Sequence, residues 1–234
     1  MEILDASGPL PDAVLRYDER AEAVVDVFLP DGPADTVVTF VHGGFWRAAY
    51  DRTHVRPLAR ALARDGIVVT LPEYRRVGAG GGWPTTCDDV RAAVAATPAL
   101  LEGIGVTPRR TVLTGHSAGG HLVLWAAGTG KIDKAVSLAG VTDLARAARE
   151  GIGANAAVEF AGPDPPAHAD PMRRLPLSVP VLLAHGTEDD RVPFDYSRSF
   201  AAASGAKLLT LSGAGHFEVI DPRTSEWALI AAEL

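Results

Sequence analysis

Cysteine is almost missing from these 234 residues. Cys87 stands alone, so an internal disulfide is excluded and nothing calls for an oxidising compartment. Long apolar runs are missing too, since no stretch approaches the roughly 20 residues that a membrane span requires. The opening MEILDASGPLPDAVLRYDER has neither the basic start nor the apolar centre of a secretory leader. A cytoplasmic protein with no membrane partner is the expectation. Positive charge is in deficit: 22 Lys and Arg stand against 29 Asp and Glu, a net charge of −7. The RR pairs at 75–76, 109–110 and 173–174 never lengthen into a basic run, which argues against nucleic acid as a partner. Neither HExxH nor another close grouping of metal ligands occurs, so no metal is expected. Internal repeats and low-complexity tracts are also lacking.

What is present suits one soluble domain over 1–234, with 47% hydrophobic and 22% charged residues. Residues 1–22, polar and Pro-containing, read as a surface arm. AVVDVFL (23–29) and TVVTFV (36–41) read as strands separated by the turn signal PDGPAD. Thr53 is a candidate cap for a helix with Val55, Leu58, Ala59 and Leu62 on one face. IVVTLP suits a buried parallel strand. Thr85 or Thr86 starts the next helix, each with an aspartate three residues on, and its apolar face carries Cys87, Val90 and Val94. Strands at 111–114, 133–138, 179–185 and 206–211 alternate with helices at 118–127, from about 193 and from about 222. Only weak helical patterning marks the stretch that ends in PDPPAHADP. This alternation predicts a mostly parallel sheet with helices on both faces, and chemistry in the loops at the strands' carboxyl ends.

Those loops carry motifs. Residues 115–119 read GHSAG, a G-x-S-x-G match between a strand and a helix, where small flanking residues let a sharp turn expose Ser117. HGGFW (42–46) follows TVVTFV, and its glycine pair can turn amides inward without interference from a Cβ. An oxyanion hole made by the amides of Gly44, Phe45 and Ala118 is the expectation, with Gly43 as an alternative donor. His42 reads as a brace for that loop. GTEDDRVPF offers three acids in a row, Glu188, Asp189 and Asp190. SGAGHFEVIDP places His216 in a glycine-rich loop after the last strand. The order serine, acid, histidine, each just beyond a strand, is that of an α/β-hydrolase triad. Among seven histidines His216 fits by position; His185 precedes the acidic loop and reads as a brace for its turn.

Together HGGFW, GHSAGGH, HGTEDDRVP and GHFE resemble α/β-hydrolases of the esterase and kynurenine formamidase (arylformamidase) group, over about residues 36–222. EYRR (73–76) and GWP (82–84) look like further landmarks of that group. The resemblance implies an α/β-hydrolase fold with little or no cap domain. Its HGxxDxxVP pattern favours Asp189 as triad acid, with Asp190 as fallback. It also implies hydrolysis of N-formyl-L-kynurenine to formate and kynurenine with no cofactor. HGG followed by an aromatic residue and Trp tilts the reading toward the formamidase; a short-chain carboxylesterase is the alternative. An acyltransferase or a non-catalytic binding module on the same fold would be further departures. The expected partner is a small-molecule substrate, with Trp46, Trp83 and Phe217 as candidate contacts. The oligomeric state is left open.

Overall fold

The structure is a computed structural model describing residues 8–234. Eight strands form one sheet: β1 (Ala13–Arg16), β2 (Val24–Phe28), β3 (Thr36–Val41), β4 (Val68–Pro72), β5 (Arg110–His116), β6 (Lys134–Leu138), β7 (Val181–Gly186) and β8 (Lys207–Leu211). Their spatial order is β1-β2-β4-β3-β5-β6-β7-β8. β1 and β2 run antiparallel to their neighbours, and every other pairing is parallel. The central strands are almost continuously buried, as the unbroken Val, Leu and Ala runs of a sheet covered on both faces require.

Seven α-helices cover the sheet among the described residues: α1 (Arg56–Arg64), α2 (Thr85–Glu102), α3 (Ala118–Ala126), α4 (Leu144–Glu150), α5 (Ile152–Ala161), α6 (Asp195–Ser204) and α7 (Ser225–Ala231). One apolar layer joins Leu58 and Leu62 of α1 and Trp227 and Ile230 of α7 to Phe40, Val112 and Val136 of the strands. The other joins Cys87, Val90 and Val94 of α2, Leu122 and Val123 of α3, and Tyr196 of α6. Leu58 and Leu62 are buried, which at about 2 kcal/mol each holds the i, i+4 face of α1 to the sheet. This is an α/β-hydrolase fold.

Three local expectations need correction. Part of the surface arm expected over 1–22 is a strand: Ala13–Arg16 pairs with Val24–Val27. β1 alternates half-buried and exposed residues, so only its partner strand reveals it. Residues 1–7 of that arm lie outside the described residues. Asp51, not Thr53, opens the turn before α1: its carboxylate accepts the Thr53 N–H at 2.8 Å, and Arg52–Val55 form a 3₁₀ turn. No capping box opens α2. Thr86 Oγ1 instead accepts the Gly82 N–H and donates to the Arg75 carbonyl, while the Asp89 carboxylate binds Arg75 and Arg20.

Register sets the site. Val41 pairs with Gly115 across β3 and β5, so the loops carrying HGGFW and GHSAG leave the sheet side by side. Gly186 pairs with Leu211 across β7 and β8, which brings the acidic loop beside the His216 loop.

Candidate active site

Ser117 occupies the turn between β5 and α3 with φ 57° and ψ −118°, a left-handed conformation costly for a residue with a side chain. The turn is possible because its surroundings are small. A Cβ on Gly119 would lie 2.1 Å from the Val41 carbonyl oxygen, and one on Gly115 would lie 2.5 Å from that of Gly119. A Cβ on Gly43 would lie 3.2 Å from Ser117 Cβ, so the HGG loop presses directly on the elbow.

The HGGFW loop winds left-handed through Gly44, Phe45 and Trp46, at φ 107°, 59° and 55°. Among the described residues, the amides of Gly44, Phe45 and Ala118 donate to no backbone group. Such free donors are what an oxyanion hole needs, and Gly43 is free in the same way. His42 braces the loop as expected: Nδ1 lies 2.7 Å from the Gly43 carbonyl oxygen, Nε2 lies 3.0 Å from Glu73 Oε1, and the ring stacks on Tyr74 at 4.3 Å. Glu73 is a hub. It also takes Arg76 at 2.8 Å and the Tyr74 N–H at 3.0 Å. Burial would raise its carboxyl, but His42 and Arg76 outweigh that and lower it to about 2.

Asp189 is buried and its Oδ2 lies 2.7 Å from His216 Nδ1. Asp190 is exposed and, among the described residues, pairs with Arg191, so of the two acids it is Asp189 that meets the histidine. Burial would raise the Asp189 carboxyl, but hydrogen bonds from His185 and His216 hold it well below the usual carboxylate range. His216 sits beside the elbow. Its ring is 4.5 Å from that of His116, and His116 Nε2 donates to the His216 carbonyl oxygen at 2.9 Å. Burial, and then His216 itself, hold His116 well below its ordinary value, which keeps it neutral. Ser117 Oγ and His216 are not directly hydrogen-bonded, although His216 packs beside the elbow through His116.

A cavity of about 10 Å³ opens beside Ser117, lined by Phe45, Trp46, Val141, Ile152, Ala156 and Val192 among others. That is space for about one water. One side of its wall, Ala147, Ile152, Ala156 and Ala157, comes from α4 and α5, where sequence patterning was weak. Gly153, Ala154 and Asn155 are left-handed in succession, and a Cβ on Gly153 would lie 2.4 Å from the Phe45 ring. Arg47 ties the two loops together through Glu159, at 2.7 Å, and the Ala154 carbonyl oxygen, at 2.8 Å. Of the candidate substrate contacts, Trp46 lines the cavity and stacks on Phe160 at 4.8 Å. Trp83 does not line it and packs on Trp125 and His168. Phe217 lies against His216 and His116 instead. Among the described residues, no group of three His, Cys, Asp or Glu could hold a metal ion, and no helix is long and apolar enough to cross a membrane.

The sheet order, the elbow and the acid–imidazole pair define an α/β-hydrolase. More narrowly, the BD-FAE family profile matches residues 25–168, and the chain belongs to that family. It is 27% identical to a probable isoprenylcysteine alpha-carbonyl methylesterase of Oryza sativa subsp. japonica, over 87% of this chain and 57% of the relative. It is likewise 27% identical to the esterase LipC of Mycobacterium tuberculosis, over 89% of this chain and 60% of LipC. The chain thus spans under two thirds of the length of these curated relatives. Among solved structures, a truncated carbohydrate esterase from gut microbiota superposes with a TM-score of 0.77 at 19% identity, covering 98% of this chain and 96% of that one. A Thermogutta terrifontis esterase, Est2, gives 0.75 at 22% identity over 94% and 91%.

Proposed function

We propose that the chain is a serine hydrolase that cleaves small acyl esters through an acyl-enzyme on Ser117. The observation that carries this is the buried His216–Asp189 hydrogen bond of 2.7 Å beside a strained serine elbow. A carboxylate only accepts, so Nδ1 of His216 carries the proton and Nε2 is left with the lone pair that a general base requires. His216 takes the Ser117 proton as Oγ attacks the acyl carbon. The amides of Gly44, Phe45 and Ala118 hold the oxyanion, each donor contributing about 3 kcal/mol to the barrier. His216 then protonates the leaving group, and water releases the acyl group by the same steps. The curated relatives named as esterases support ester cleavage.

The cavity of about 10 Å³ supports an acyl group of one or two carbons, formyl or acetyl. That observation also favours a second, narrower reading, an arylformamidase acting on N-formyl-L-kynurenine, which the HGGFW motif suggested. One panel tests both: p-nitrophenyl acetate, butyrate and octanoate beside N-formyl-L-kynurenine, with wild type and Ser117→Ala. Acetate turnover well above octanoate, abolished in Ser117→Ala, is expected. Unchanged turnover in Ser117→Ala overturns the serine reading. Ester turnover without formamide turnover removes the formamidase and keeps the esterase.

A further inference from the structure

Asp189 receives more donors than a triad acid needs. Its Oδ1 accepts the N–H groups of Arg191 and Val192, each at 2.8 Å. Its Oδ2 accepts His216 Nδ1 at 2.7 Å and lies 3.1 Å from Nε2 of His185, on β7. His185 has no exposed surface, so it is not a solvent-facing base. Its Nε2 also lies 2.9 Å from the Val192 carbonyl oxygen, and its Nδ1 lies 2.7 Å from Ser197 Oγ on α6. Both neighbours of Nε2 are oxygens that only accept, so that nitrogen carries the proton. On a neutral ring Nδ1 then accepts the Ser197 O–H, and Ser197 is itself fully buried. The ring is held edge-on by Phe194 at 5.8 Å.

We propose that His185 is a positioning residue for the reaction: its Nε2–H shares Asp189 Oδ2 with His216 and fixes the carboxylate, while Ser197 fixes the His185 tautomer. This rests on the triad reading of the site. The relay then runs Ser197, His185, Asp189, His216, from buried hydroxyl to base. Two donors on one oxygen compete, so His185 tempers how strongly Asp189 holds the protonated base. Removing it frees the carboxylate to rotate and strengthens its grip on an imidazolium at His216. The base is then protonated at higher pH, and turnover falls because the imidazole is less well aimed. Of the other titratable groups, His116 on β5 packs on the base, and the Glu218 carboxylate lies by Gly215, the residue before it. Both stay in place in the variants below.

The test compares His185→Phe, His185→Gln and Ser197→Ala in the full chain, using p-nitrophenyl acetate. His185→Phe is expected to lower kcat by about 10- to 100-fold with KM little changed, the penalty of a misplaced catalytic group. The acidic limb of its kcat/KM profile is expected to move up by about half a pH unit or more. Gln keeps an N–H at the Nε2 position, so His185→Gln restores most of kcat and returns the limb. Ser197→Ala gives a smaller loss in the same direction. A folded His185→Phe protein with wild-type kcat and limb overturns the proposal. If His185→Phe does not fold, Ser197→Ala and His185→Gln decide, and a Ser197→Ala protein of wild-type kcat and limb overturns it. Ring-nitrogen NMR of the wild type adds a readout independent of turnover. A proton on Nε2 and none on Nδ1 of His185 is expected, and the reverse tautomer overturns the inference. Loss of the serine mechanism would show instead in Ser117→Ala, leaving the NMR result untouched.

Discussion

Replacing Glu73 with Gln tests how the HGG loop is held. Glu73 is buried at the end of β4 and binds His42, Arg76 and the edge of Arg52. Its carboxyl is lowered from an ordinary 4.5 to about 2. At about 1.4 kcal/mol for each pH unit, that makes about 3 kcal/mol of folding stability at neutral pH. Removing one partner of a buried ion pair leads independently to about 3–5 kcal/mol. The folded-state value lies below the unfolded one, so this contribution is complete above about pH 4.5. It is lost as pH falls toward 2. Urea unfolding followed by tryptophan fluorescence, at pH steps from 7 to 3, measures it. At pH 7 Glu73→Gln is expected to be about 3 kcal/mol less stable than wild type, about 6–12 °C in melting temperature for a chain of this size. Below pH 4.5 the unfolded wild type takes up a proton that the folded protein does not, so the gap narrows steadily toward pH 3. A gap that stays constant from pH 7 to pH 3, or none at pH 7, refutes the reasoning.

Three further outcomes follow from the geometry. Gly119→Ala puts a methyl group against the Val41 and His42 carbonyl oxygens; backbone atoms cannot swing aside, so a loss of about 1–3 kcal/mol or more is expected, read as a lower melting temperature. Asp189→Asn is expected to lower kcat about 10⁴-fold, while Asp190→Asn, at an exposed ion pair, leaves kcat unchanged; equal effects in steady-state assays would remove the assignment of the acid. Ile152→Ala enlarges the cavity beside Ser117 and is expected to raise kcat/KM for butyrate relative to acetate by about 10-fold or more. An unchanged acetate-to-butyrate ratio would mean that the acyl group sits elsewhere.

The parallel strands were legible because a strand covered on both faces is a short unbroken run of Val, Leu and Ala, as in TVVTFV and VPVLLAH. The motif loops were legible for a related reason, since Ser117, Asp189 and His216 each follow such a run, and register then brings the loops together. What escaped is what depends on a partner. β1 has neither an apolar run nor a charge pattern of its own, and becomes a strand only beside Val24–Val27. The wall made by α4 and α5 is rich in Ala and Gly, so its hydrophobic face is faint, and its left-handed turn at 153–155 owes its place to Phe45 and Arg47. Thr86 and Asp89 look like cap residues in the sequence, but nearby Arg75 claims both. His185 read as a brace for the turn, and the contact that gives it further meaning, with Asp189 four residues on, requires the chain to turn back at the end of β7.

One short link, His116 Nε2 to the His216 carbonyl oxygen, fastens the peptide of the proposed base to the strand that presents the proposed nucleophile. Neither loop can drift without tugging the other. Warming therefore leaves little room for a species that stays folded yet has its base swung out of reach: loss of turnover and melting of the sheet's centre should run along a single curve.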